Sequence, residues 1–108
     1  MENDYIKLRD WACWKFNQFE YRLCGYTEQD GKNRCIVTEP IQGVNVENQF
    51  VETVNHLKFK LDEPIEKVNM MDMSYVLDRW MNLNNKGEPY EATHMVLEAL
   101  GRGDNNYN

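Results

Sequence analysis

The run from Asp4 to Cys24, DYIKLRDWACWKFNQFEYRLC, places six aromatic side chains within 21 positions. A segment this apolar has to bury much of its surface, so the rest of the chain is expected to pack around it. At about 100° per residue, Tyr5, Leu8, Ala12, Phe16, Phe19 and Leu23 fall on one face with the three-and-four spacing of an amphipathic helix. A first helix over 4–24 follows, with Asn3 as cap, Asp4 in the positive first turn and Gly25 as the left-handed terminator. Trp11, Trp14, Gln18 and Tyr21 form a second stripe roughly opposite the first. Either a second layer of the chain covers that stripe or a partner does. Tryptophan and tyrosine are the residues from which binding hot spots are built, which makes Trp11, Trp14 and Tyr21 candidate contact residues.

Beyond Gly25, residues 26–38 contain Asp30-Gly31, a dipeptide suited to a tight hairpin turn, followed by the strand-like Cys35-Ile36-Val37-Thr38 and a terminating Pro40. The segment reads equally as a short hairpin or as a surface loop with one extended edge. A second helix is predicted over 45–60, with Asn45 as cap and Val46, Phe50, Val54, Leu57 and Leu61 as its stripe. Asp62-Glu63-Pro64 is a break. A third helix follows over VNMMDMSYVLDRWMNL, with Met73, Val76, Leu77, Trp80 and Met81 towards the core and Asn69 or Asp72 as cap. Its methionines are either adaptable core filler or an exposed binding patch. Gly87 is placed to close it, and a fourth helix runs from Tyr90 to Leu100 and stops at Gly101. The expected architecture is a single mainly α domain over residues 1–101, a compact four-helix fold with a candidate hairpin between helices 1 and 2. Residues 102–108 are expected to form a flexible tail.

The net charge of −6 is unevenly distributed: residues 1–38 balance, and residues 39–108 carry twelve acids against six bases. With no cluster of lysine and arginine in the sequence, direct phosphate binding is disfavoured. An acidic chain is a better electrostatic match for a basic, nucleic-acid-handling protein, whose groove its carboxylates would occupy in place of nucleic acid. Asp62, Glu63, Glu66, Asp72 and Asp78 are the candidate acids. No apolar run approaches the ~20 residues of a membrane span, and the acidic N-terminus differs from the basic and then apolar pattern of a signal peptide, so a cytoplasmic setting is expected.

Catalytic patterns are few. Ser74 is the only serine and has no G-x-S-x-G setting, and there is neither a phosphate-binding glycine loop nor an H-E-x-x-H pair. Cys13, Cys24 and Cys35 recur every eleven residues, wider than zinc-ligand pairs are spaced, and are read as buried apolar residues. Arg102-Gly103-Asp104 is read as a chance tripeptide. No cofactor, no metal and no enzymatic activity are expected.

The succession Trp11-x-x-Trp14, Gly25-Tyr26 and Val46 through Val54, Asn55 and Leu57 resembles small prophage regulators related to late antitermination proteins, over about the first 60 residues. The resemblance implies a small accessory protein that docks on the transcription apparatus, often with a DNA-reading helix pair near the C-terminus. Here the last helix pair is acidic, which speaks against direct DNA reading. The sequence thus predicts a non-enzymatic protein-binding module, an inhibitor or modulator of a larger host protein, with a second copy of the chain as another candidate partner. The alternative is a transcription regulator contacting DNA or RNA polymerase.

Overall fold

The computed structural model describes residues 5–103, so the predicted cap Asn3, the first-turn Asp4 and the tail beyond Gly103 lie outside the described residues. Strand accounts for 45 % and helix for 24 % of the structure, which overturns the mainly α, four-helix expectation. The elements are β1 (Tyr5–Asn17), β2 (Glu20–Gln29), β3 (Lys32–Val37), β4 (Ile41–Asn45), β5 (Phe50–Thr53), β6 (Lys58–Leu61), a 3-10 turn (Lys67–Asn69), α1 (Met70–Leu83), β7 (Tyr90–Glu91) and α2 (Thr93–Ala99).

The predicted first helix is instead the long hairpin β1–β2, turning at Gln18-Phe19, where Asn17 Oδ1 accepts the Phe19 N–H at 2.9 Å. Two features of β1 explain its helical look. Asp10, at φ 46°, sits in a bulge between the pairs Arg9↔Tyr26 and Ala12↔Cys24, which turns Leu8 and Trp11 to the same side although they are three residues apart. Beyond the bulge both faces of β1 are covered: Trp11 and Cys13 point into one core cluster and Ala12 and Trp14 into another. A strand buried on both faces loses the polar–apolar alternation by which strands are recognised. Gly25 does not end a helix. It lies in the middle of β2 opposite the bulge, where a Cβ would come within 2.8 Å of both Leu8 Cγ and Trp11 Cβ.

The sheet runs β3-β2-β1-β6-β5-β4, with β6 parallel to β1 and β7 pairing β1 at Trp14 and Lys15 on the edge opposite β2. Its outermost strands, β3 and β4, are joined by residues 38–40 alone, a span of roughly 14 Å at full extension. The sheet therefore curls until β4 lies near β2, giving an open, strongly curved barrel. Inside it Leu8, Trp11, Leu23, Val51, Phe59 and Leu61 pack on Ala92, Val96, Leu97 and Leu100 of the α2 segment. The start of α2 is fastened to β1 by Ala92 N–H to Cys13 O at 2.7 Å and Cys13 N–H to Thr93 Oγ1 at 3.0 Å. On the outside, α1 lies over β2 and β3, where Met73 packs with Ala12, Cys24 and Ile65.

The predicted second helix is replaced by β4, β5 and β6. Gln49 and His56, at φ 57° and 66°, turn the chain twice, and Asn45 Oδ1 accepts the Asn48 N–H at 2.7 Å in a turn instead of capping a helix. The third predicted helix is α1, closed by left-handed Asn85 in place of Gly87. The fourth shortens to α2, because residues 90–91 pair with β1, and Gly101 at φ 78° follows its end as expected. Asp30-Gly31, at φ 53° and 75°, makes the two-residue turn between β2 and β3.

Candidate functional site

β6 runs parallel to β1, and the segment after it stays on the same track. Asp62 N–H donates to Leu8 O at 2.9 Å, Ile65 N–H donates to Trp11 O at 2.8 Å, and the Trp11 indole N–H donates to Asp62 O at 2.8 Å. Trp11, proposed from the sequence as a contact residue, is thus wholly buried, and its polar edge anchors the acidic segment. The chain then passes through the 3-10 turn into α1, which crosses the outer face of the sheet. Residues 62–78 carry five acids, Asp62, Glu63, Glu66, Asp72 and Asp78, against Lys67 alone, so most of the molecule's net charge arises in this stretch. All five are exposed.

Helix α1 breaks the usual rule on its outer side. Its inner side buries Met73 and Leu77 and half-buries Met70, Val76, Trp80 and Met81. Opposite them, where polar residues belong, lie Met71 and Tyr75, exposed at 69 % and 68 %, continued by Val68 at 83 % in the 3-10 turn. At about 100° per residue, Asp78 falls on one flank of this ridge and Asp72 on the other. The helix is well braced from below. Trp80 meets Phe16 in a tilted ring contact with centroids 5.5 Å apart and receives the Arg22 guanidinium over its ring at 4.7 Å. Arg22 in turn pairs with the buried Glu20 at 2.7 Å, which also takes Lys86 from the loop after α1 at 2.9 Å. Burial pushes the Glu20 carboxyl up, but the hydrogen bonds and charges of Arg22 and Lys86 outweigh it and hold its pKa below the ordinary glutamate value.

No protein-family model, curated protein or solved structure matches this chain. What the surface can do is therefore decided by its own chemistry.

The remaining predicted contact residues are split. Trp14 points to the outer face, packed beneath α1 with its indole Nε1 buried and without a hydrogen-bond partner. Tyr21 points to the inner face, on the rim of an apolar groove of about 190 Å³ with Ile41, Val44, Met95, Val96 and Ala99. Trp11, Trp14 and Tyr21 therefore share no common surface. The acids are partly gathered: Glu63 and Glu66 line a cleft of about 660 Å³ with Glu91 and Lys67, and Asp62 and Glu63 line a shallower one with Arg9 and Asp10. Asp72 and Asp78 stand apart from both clefts, along α1.

The fold also assembles a group of cations that the sequence scatters. Tyr5↔Lys58 and Lys7↔Lys60 are neighbours across the β1–β6 ladder, so Lys7, Lys58 and Lys60 share the outer face of the sheet, with Arg9 beyond them. Lys60 Nζ lies 4.7 Å above the Tyr5 ring and Lys58 Nζ 5.2 Å above Phe50. The alternation Lys58-Phe59-Lys60-Leu61 was the sequence signal for this face. Among the described residues, no group of three or more His, Cys, Asp or Glu is placed to hold a metal ion, and no helix is long and apolar enough to cross a membrane.

Proposed function

We propose that this protein acts by binding a larger, basic protein partner through the outer side of α1 and the acidic segment leading into it. The observation that supports the reading is the exposed apolar ridge Val68-Met71-Tyr75, flanked by Asp72 and Asp78 and preceded by Glu63 and Glu66. Apolar side chains at the centre of such a patch supply affinity, and the carboxylates around it select a cationic surface and speed the encounter. A basic nucleic-acid-binding protein meets both requirements, with the carboxylates taking the place of phosphates. The partner assigned by this reading is another protein, and a second copy of the chain is less well matched because two acidic faces repel.

The reading is tested by affinity capture on the full chain, with M71A/Y75A and D72K/D78K in parallel. All four side chains are exposed, so both variants keep the fold. A protein retained by the wild type, lost by both variants and released by added salt supports the proposal. Equal retention by all three chains contradicts it.

A second reading, the transcription regulator that contacts nucleic acid, draws on the outer cations Lys7, Arg9, Lys58 and Lys60. Phe50 on the same face is only 8 % exposed, which removes it as a base-stacking platform and makes this the weaker reading. A gel shift with single- and double-stranded probes at low salt that is abolished by K58E/K60E would favour it.

A further inference from the structure

Two of the three cysteines lie much closer together than their spacing of eleven residues suggests. Across the β2–β3 ladder Cys24 is opposite Val37 and Cys35 is opposite Tyr26. The two cysteines are therefore diagonal neighbours on the outer face, and their sulfurs are 3.8 Å apart. Both are free thiols. They differ in access: Cys24 is wholly buried beneath α1, whereas Cys35 is half-buried on β3, an end strand of the sheet. Cys13 points to the opposite face of the sheet, into the barrel, and is sealed there.

We infer that Cys24 and Cys35 form a reversible dithiol/disulfide pair, with Cys35 as the thiol that meets the oxidant and Cys24 as the one that resolves it. The oxidant is a peroxide, hydrogen peroxide in its simplest form. In the first step the Cys35 thiolate attacks one peroxide oxygen, the O–O bond breaks, and Cys35 becomes a sulfenic acid as hydroxide leaves and takes up the thiol's proton to form water. In the second step the Cys24 sulfur attacks the Cys35 sulfur, the S–O bond breaks, and the Cys24 proton leaves with that oxygen as a second water. Two thiols have then given two electrons to one peroxide. Hydrogen bonds from the Cys24 thiol and the Tyr26 side chain lower the Cys35 pKa against the opposing effect of burial, which assigns the thiolate role to Cys35. Diagonal positions in an antiparallel ladder stand farther apart than a relaxed disulfide prefers. The strands have to draw together to close the bond, so the oxidised form is one that thiols readily reduce.

The test uses the full chain, treated with stoichiometric hydrogen peroxide, unfolded in alkylating agent and weighed intact. The expected product is a monomer lighter by two hydrogens, carrying one alkyl group in place of three and restored by dithiothreitol. Peptide mapping should join Cys24 to Cys35 and leave Cys13 alkylated. In Cys24→Ser, Cys35 should stop at a sulfenic acid that dimedone traps, and Cys35→Ser should form no intrachain bond. The inference is overturned if wild-type Cys35 is oxidised while Cys24 stays alkylatable, if the bond joins two chains or includes Cys13, or if Cys24→Ser shows no trapped Cys35.

Discussion

At the scale of single residues, the most informative position is Gly25. The bulge at Asp10 brings Leu8 and Trp11 together over one point of β2, and only a residue without a side chain fits beneath them. Gly25→Ala should destabilise the fold by about 1–3 kcal/mol, the usual cost of overpacking, and chemical denaturation measures it. Glu20 makes a second residue-scale prediction. Its pKa is depressed in the folded state, so its contribution is fully present above the ordinary glutamate value of about 4.3 and is lost as pH falls through the lower folded value. Glu20→Gln should lower stability at neutral pH by about 1.5–3 kcal/mol and flatten the acid limb of the stability–pH curve. Thermal melts across that range follow both effects. From the sequence Gly25 was read as a helix terminator and Glu20 was given no role, because their constraints come from partners far along the chain: Leu8 and Trp11 for the first, Lys86 for the second.

At the scale of elements, what was legible depended on whether one face of the element meets solvent. Helix α1 does, and its inner residues Met73, Leu77 and Trp80 were placed correctly from spacing alone. The Asp30-Gly31 turn was legible as a candidate, with a surface loop equally open, because its chemistry is local: both residues occupy left-handed backbone that glycine adopts freely and aspartate tolerates. Gly31→Val should accordingly cost about 1–2 kcal/mol although nothing lies within 4 Å of the added side chain, a loss that denaturant melts would register. Strand β1 was illegible for the opposite reason. It is bulged and covered on both sides, so its apolar residues follow the three-and-four rhythm of a helix, and its aromatic content was the remaining sign of a strand. In β6 the alternation of Lys58, Phe59, Lys60 and Leu61 was visible, but the helical spacing of Phe50, Val54, Leu57 and Leu61 obscured it.

At the scale of the whole molecule, the fold separates charge that the sequence intermixes. The 62–78 stretch carries the acids into the approach to α1 and along it, while the β1–β6 ladder gathers Lys7, Lys58 and Lys60 on uncovered sheet. Of the proposed contact residues, the acids are exposed, whereas the aromatics are redistributed into scaffolding. Trp11 holds the acidic segment and Trp14 lies under the helix, leaving Tyr21 beside a separate groove. The dense methionines were read as either core filler or an exposed patch, and the fold divides them, Met73 inward and Met71 outward, according to which side of α1 the sheet takes. The methionines also provide the most direct test. Methyl-labelled methionine places probes at Met71 on the ridge, at Met73 beneath α1 and at Met95 beside the α2 groove. On titration with the captured partner, the Met71 methyl resonance should shift or broaden while Met73 and Met95 hold their positions. A shift confined to Met95, with Met71 unmoved, would place the partner at the other groove and contradict the assignment of α1 as the working surface.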